Sequence, residues 1–208
     1  AFVFRSGAEY FPLPFYFALT VSVVWVGGVN TVREIAREWP ILLREYRAGL
    51  SVTAFFAAKT AVFSLVAAVQ GLSFALFLSL FFAHFTVDRA AVLLLCAASV
   101  GGAVLGLAVS AISARVNRAI SILPMVFMPQ IFLAGALMPF DRMARVGVWL
   151  SHLTFSRPMF ALFKRTRLLE QSVWVRSEWT WFCSLLAGLC ILAWTAIWWR
   201  VRRGRRGR

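Results

Sequence analysis

Acidic residues and catalytic motifs are scarce in this sequence. Only 8 of its 208 residues are Asp or Glu, against 22 Lys or Arg. It contains no HExxH or GxSxG motif, no pair of carboxylates inside an apolar run, and two histidines, His84 and His152, outside any metal-binding spacing. The GxxxxGK[ST] loop that cradles nucleotide phosphates is missing too. We therefore expect a chain that is not an enzyme and holds no cofactor, so that any ATP-driven function needs another domain or chain.

Cysteine is equally sparse. Cys96, Cys183 and Cys190 all fall within apolar runs and show no CxxC spacing. With two histidines at most to help them, they do not form a zinc site. We interpret them as packing residues and predict no metal.

Charge is low and apolar residues dominate. The chain is 61% hydrophobic and 14% charged, which excludes an ordinary soluble domain and a disordered chain. Apolar runs of about 20 residues, enough to cross a bilayer, recur along it. The sequence therefore predicts an all-α, polytopic membrane helical bundle that forms one domain.

The net charge of +14 could suggest nucleic-acid binding, but its distribution argues against that. Six of the cationic residues directly follow the last apolar run, where arginines anchor a helix on the cytoplasmic side and meet anionic lipid headgroups. These are Arg200, Arg202, Arg203, Arg205, Arg206 and Arg208. We expect membrane lipids as partners and no nucleic acid.

Five spans are predicted: residues 11–29, 54–82, 90–112, 119–140 and 179–199. The fourth is interrupted by Pro124, Pro129 and Gly135. Lys59, near the start of the second, is expected to snorkel to the membrane interface. Placing the arginine tail inside puts residues 30–53 and 113–118 inside as well, and residues 141–178 outside, with a modest Lys/Arg bias of the right sign.

Residues 30–50, hereafter the helical hairpin, carry the most informative pattern. Thr31 and Glu34 have the spacing of a capping box, and Glu34 can pair with Arg37. Pro40 predicts a kink or a restart of the helix, and Gly49 a C-terminal cap. One side is apolar, through Ile35, Trp39, Leu42, Leu43 and Tyr46. Such an element either lies at the membrane interface or docks a cytoplasmic partner.

Two further patterns lie within the spans. Small residues recur every four positions at Ala98, Gly102, Gly106, Ser110 and Ala114, which predicts close helix packing. Two amides, Gln70 and Gln130, lie at membrane depth, and Gln130 stands beside the weakened backbone of Pro124 and Pro129. These four residues either join helices or line a pathway.

Residues 146–163 are too apolar for a free loop but carry His152, Arg157 and Pro158. A full crossing is a poor fit to that composition. We expect a pair of short helices that re-enter the membrane or lie on its surface.

Three stretches together resemble ABC-2-type exporter permeases of the G (White-like) subfamily. NTVREIAREWPILLREYRAGLS resembles their first cytoplasmic loop, MPQIFLAGALMPF their Pro-rich fifth helix, and WLSHLTFSRPMFALF the re-entrant stretch that follows. The family has six spans, so the first span here would be its second, and we expect the chain to be truncated at its N-terminus.

The resemblance implies a permease half that dimerises, with itself or a paralogue, and works with an ABC ATPase domain, either fused upstream or separate, that holds ATP and Mg. The first loop would be the coupling element, and the residues assigned to ATPase contact are Arg33, Glu34, Glu38, Arg44, Glu45, Arg47, Arg115 and Arg118. The implied cargo is hydrophobic or amphiphilic, with no substrate ligands assigned.

Two other classes stay open on the residues alone. A non-catalytic membrane scaffold would need neither the coupling loop nor ATP. A membrane-embedded transferase would depend on His84, His152 or Arg157. The Arg-rich and Ala-rich composition favours a bacterial inner membrane as the location.

Overall fold

The computed structural model describes residues 13–81, 88–113, 115–134, 143–168, 174 and 176–206. Within these ranges the regular structure is entirely α-helical. The helices are α1 (Leu13–Thr31), α2 (Glu34–Arg37), α3 (Trp39–Arg47), α4 (Val52–Phe81), α5 (Arg89–Ile112), α6 (Val116–Phe132), α7 (Arg145–Ser151), α8 (Ser156–Leu168) and α9 (Arg176–Arg206). The predicted all-α membrane bundle is confirmed.

Four stretches of the described chain are long and apolar enough to cross a membrane. They are Pro14–Arg37, Val52–Phe81, Arg89–Ile112 and Arg176–Arg203. Each overlaps a predicted span. The remaining predicted span, 119–140, corresponds to the shorter α6, and its last residues, 135–140, lie outside the described ranges together with Gly135.

The predicted interruption of this span at Pro124 and Pro129 is wrong, because α6 runs through both prolines to Phe132. Each proline removes one backbone donor, and the φ angle that its ring imposes is compatible with a helix. Both rings lie on the exposed side of α6. The helix therefore continues where the sequence pattern suggested a break.

Helix α5 is the centre of the bundle. It packs against α1, α4 and α9. Of the residues in its most apolar 18-residue stretch, 72% are buried. The corresponding stretches of α4 and α9 are only 22% and 17% buried. Their outer faces, which include Leu65, Leu76 and Ile191, are available to bilayer hydrocarbon.

The bundle has two distinct ends. At one end, helices α2 and α3 of the hairpin pack on the last turns of α5 and α9, through Leu107, Ala111 and Ile197. At the other end, α8 lies against the first turns of α1, where Phe163 stacks on Tyr16 and Phe160 meets Phe17 edge to face. The hairpin and the predicted re-entrant segment thus lie at opposite ends of the bundle.

Candidate functional site

The start of the hairpin differs from its sequence prediction. Thr31 does not cap α2, since it still belongs to α1 and its hydroxyl donates to the carbonyl oxygen of Ala103 at 2.8 Å. The residue before α2 is Arg33, which makes no side-chain capping bond. The predicted capping box is therefore wrong. Thr31 is fully buried against α5, and a buried hydroxyl that finds a carbonyl across the helix contact is unavailable as a cap.

Ser110 of α5 caps α2 instead. Its hydroxyl oxygen accepts hydrogen bonds from the backbone N–H groups of Ile35 and Ala36, each at 3.0 Å. The first N–H groups of a helix have no partner within it, and here both donors are buried. A residue predicted for helix packing thus also fixes the first turn of the hairpin to a spanning helix.

The turn and the end of the hairpin follow the sequence prediction. Helix α2 ends at Arg37, and α3 begins at Trp39 with Pro40 in its first turn. Gly49 follows α3 with a φ of 107°, a left-handed conformation that only glycine adopts without cost. The predicted restart at Pro40 and cap at Gly49 are confirmed.

Two of the three hairpin carboxylates, Glu34 and Glu38, turn towards the membrane helices. The Lys59 ammonium of α4 lies 2.6 Å from Glu38 Oε1 and 3.8 Å from Glu34 Oε2. Glu34 also forms the predicted ion pair with Arg37, at 3.1 Å. The Lys59 side chain is only 20% exposed and is held by its ion pairs to the hairpin, and its reach to the membrane interface stays a prediction. A cation near membrane depth is stabilised by opposite charges within reach.

Arg200 of α9 makes a third attachment that the sequence did not predict. Its Nη1 atom donates to the carbonyl oxygens of Ala111 and Ser113, both at 2.8 Å. Its guanidinium also lies 3.8 Å from the ring centroid of Trp39 in α3. A cation at the C-terminal end of a helix satisfies free carbonyls and stacks well on indole. Arg200 thereby joins α5, α9 and the hairpin.

A signal for this role does exist in the sequence. Ala193, Ile197 and Val201 are spaced by four residues and form the buried stripe of α9. Arg200 lies beside that stripe, whereas Arg202 and Arg203 are exposed. Helical periodicity thus places Arg200 next to the buried face of α9 and places Arg202 and Arg203 on its exposed surface.

The remaining predicted coupling residues lie on the outer surface. Arg33, Arg44, Glu45 and Arg47 are exposed on the hairpin, and Ile41 is 46% exposed among them. Arg115 and Arg118, at the start of α6, are exposed as well. The hairpin therefore has an inner face with Glu34 and Glu38, which contacts the spanning helices, and an open outer face with Arg33, Arg44, Glu45 and Arg47.

Glycines bring α1 and α5 into backbone contact. A Cβ atom on Gly102 would overlap the carbonyl oxygen of Val24, and one on Gly106 would overlap the Thr31 hydroxyl and the Gly28 carbonyl. Ala98 is fully buried in the same core. Close approach of this kind is what small residues permit in membrane helices. Ala114 lies outside the described residues.

The two amides occupy different environments. Gln130 is buried, and its Oε1 atom accepts hydrogen bonds from the N–H groups of Phe155 and Ser156, at 2.8 and 3.2 Å. It thereby ties α6 to the start of α8. The Gln70 Oε1 atom is buried in α4 with no partner among the described residues. Pro124 and Pro129 face outwards, so these four residues do not form one cluster.

Two of the three groups that a transferase would use, His152 and Arg157, are engaged in structural contacts. His152 Nδ1 lies 2.9 Å from the carbonyl oxygen of Val148, and its own carbonyl accepts from the Trp181 indole N–H. Arg157 donates to the Ser151 hydroxyl; its burial lowers the pKa of the guanidinium, which nearby Glu178 partly counteracts. His84 lies outside the described residues, and within them no three His, Cys, Asp or Glu side chains gather to hold a metal.

Comparison with known families assigns the chain. The family model of ABC-2 type transporters matches residues 2–166, which includes the hairpin, α4 to α7 and most of α8. No curated protein matches the chain. The matched residues form most of the helical bundle described above. The chain therefore belongs to the ABC-2 type transporter family, and it is an integral membrane permease domain of an ABC system.

Proposed function

We propose that this chain is the membrane part of an ATP-driven exporter and that its ATPase docks on the outer face of the hairpin. The supporting observation is that the hairpin is attached to three separate spanning helices, through Lys59, Ser110 and Arg200. A displacement of such an element is transmitted to the whole bundle. An element that merely rests on the membrane surface would not need these attachments.

The outer face suits a protein partner. It presents three arginines, one glutamate and a half-exposed isoleucine, Ile41. Exposed charges around an apolar contact are usual at protein interfaces, where they set orientation and the rate of association. The partner must supply ATP and Mg binding, because the sequence contains no phosphate-binding loop.

The proposed cargo is hydrophobic or amphiphilic. The ion pairs found among the described residues all gather at the hairpin end, on Glu34, Arg37, Glu38 and Lys59. The described core of the bundle is mostly apolar, with Thr20, Ser99 and Gln130 among its few buried polar side chains. A transport route of this composition favours hydrophobic or amphiphilic molecules, which lose little by leaving water.

A second permease half, either another copy or a paralogue, would complete the transport route. The proposed location is a bacterial inner membrane.

Charge reversal of the outer face tests the proposal. The full-length permease is reconstituted in proteoliposomes with its ATPase, and substrate-stimulated ATP hydrolysis and ATPase binding are measured. Arg44→Glu with Arg47→Glu should lower both by at least about tenfold, since unlike charges at an interface become like charges. Both side chains are exposed, so folding is preserved.

The matched control makes the same change of charge at the far end of the bundle. Arg89→Glu with Arg145→Glu alters two exposed arginines at the first residues of α5 and α7, and it should leave ATPase binding intact. Wild-type ATPase binding by the Arg44/Arg47 variant would refute the docking site. A chain that supports no transport with any ATPase would favour the scaffold alternative.

A further inference from the structure

An apolar groove lies on the outer side of the bundle where α5 ends. It has a volume of about 550 Å³ and is lined by Ile112 of α5 and by Leu192, Trp194, Thr195, Ala196, Trp198 and Trp199 of α9. The groove is open along the surface of the bundle, so a chain lying along the helices can enter it sideways. Thr195 is the one non-aromatic polar residue of this lining, and its hydroxyl donates to the carbonyl of Leu192. The groove therefore matches a hydrocarbon chain.

The depth of the groove corresponds to the boundary between hydrocarbon and headgroups. Ile112 is the last residue of α5, and Trp198 and Trp199 directly precede Arg200, which contacts the hairpin. Tryptophans followed by arginines are typical of the level at which a membrane helix meets the headgroups. Ile191, next to Leu192 in the chain, is exposed, as expected of a side chain that faces lipid.

Two arginines stack on tryptophans of the groove. The guanidinium of Arg202 lies 3.5 Å from the ring centroid of Trp198, and that of Arg203 lies 3.5 Å from that of Trp199. Both arginines are exposed, and neither takes part in the ion pairs found in the described part of the chain. A guanidinium stacked on indole keeps its N–H edges free to bind a phosphate through two hydrogen bonds.

We propose that this groove binds one anionic phospholipid of the leaflet on the hairpin side of the membrane. Its acyl chain would lie against Ile112 and Leu192, and its phosphate would bind Arg202 and Arg203. A soluble anion would leave the apolar lining unused. A second copy of this chain in a symmetric contact here would bring the same arginines face to face, which is unfavourable. The site extends the role of the arginine tail from general attraction to a surface to selection of a lipid.

Lipid retention by the full-length chain tests the charged half of the site. The protein is purified in detergent with equal amounts of phosphatidylglycerol and phosphatidylcholine, and the lipid still bound is measured by native mass spectrometry. The wild type should retain phosphatidylglycerol preferentially. Arg202→Gln with Arg203→Gln should lower its retention at least about tenfold, whereas Arg89→Gln with Arg145→Gln, an equal loss of charge at the opposite end, should not.

A second pair of variants tests the apolar half. Ala196→Phe fills the groove and should lower phosphatidylglycerol retention about threefold or more, since the acyl chain loses its contact area. Ala187→Phe, on the exposed surface of the same helix nine residues earlier, should have no effect. Equal effects of the two substitutions would show a diffuse surface attraction and overturn the site.

Two further outcomes would also overturn the proposal. Equal retention of the two lipids by the wild type would exclude selection by charge. Efficient disulfide formation between two copies of a Leu192→Cys variant, made after replacement of Cys96, Cys183 and Cys190 by serine, would show that a second copy covers the groove.

Discussion

The ammonium nitrogen of Lys59 lies 2.6 Å from the Oε1 atom of Glu38. This contact joins the third turn of the long α4 helix to the residue between the two hairpin helices. Because Lys59 also lies 3.8 Å from Glu34, one cation serves two carboxylates on successive turns. The inner face of the hairpin is thus held by charge in a partly buried setting, where an ion pair is screened less than at the surface.

Lys59→Met should destabilise the protein by about 1–3 kcal/mol, between the values for exposed and buried ion pairs. The substitution keeps most of the side-chain volume but leaves two partly buried carboxylates without their shared cation. Thermal unfolding in detergent measures the loss. Lys164→Met, which changes an exposed lysine of α8, should have little effect.

A charge swap separates pairing from the mere presence of charge. Lys59→Glu alone places three carboxylates together and should be more harmful than Lys59→Met. Adding Glu38→Lys should restore part of the stability, since the pair is re-formed in reverse, and a double-mutant cycle gives the coupling energy. A coupling energy indistinguishable from zero would show that the contact contributes nothing to stability.

Ser110→Ala should loosen the first turn of α2. It removes the acceptor of two buried N–H groups, on Ile35 and Ala36, at a cost of about 1–3 kcal/mol. Hydrogen exchange followed by mass spectrometry should show faster exchange in peptides covering these amides. Ser121→Ala, at an exposed position of α6, is the control, and equal exchange in both variants would contradict the capping role.

Arg200→Lys should uncover Trp39. Lysine keeps the charge but cannot bind two carbonyls through a planar group and stack on an indole at the same time. Oxidative footprinting should therefore show a higher reactivity of Trp39. Arg176→Lys, at the exposed start of α9, should leave that reactivity unchanged; an unaltered Trp39 in the Arg200 variant would mean that the stacking does not protect it.

Gly102→Ala should separate α1 from α5 and lower stability by about 1–3 kcal/mol. The new methyl group would overlap the backbone oxygen of Val24, which cannot rotate away as a side chain does. Gly188→Ala is the matched comparison, because a Cβ there has no neighbour within 4 Å. It should be neutral or slightly stabilising through helix propensity. Equal melting temperatures of the two variants would argue against the backbone contact.

Features governed by local chemistry could be predicted from the sequence. Pro40 and Gly49 each restrict or permit particular backbone angles whatever surrounds them, so the restart of the helix and its cap were correct. The Glu34–Arg37 pair follows from helical spacing alone. The small residues of α5 likewise indicated close packing, although not which helix they contact.

Features that depend on contacts between helices could not be predicted. Thr31 has the right spacing for a capping box, but the nearness of Ala103, 72 positions away, decides its partner. The ion pairs of Lys59 could not be predicted, because the sequence does not show that Glu38 packs beside it. Pattern reasoning assigned Arg200 to lipid for the same reason, since the carbonyls it binds belong to another helix.

The unequal way in which the hairpin is joined to its two neighbouring helices has a mechanical consequence. On its N-terminal side the hairpin follows α1. Gly102 and Gly106 of α5 allow the backbones of α1 and α5 to pack in direct contact. Towards α4 the chain passes through Gly49, which has open space around it, and two non-helical residues. A load applied to the hairpin therefore reaches α1 and α5 through backbone contacts and α4 through the Lys59 ion pairs, and because Gly71 also packs α4 against the backbone of Cys96 in α5, the three helices are expected to move together.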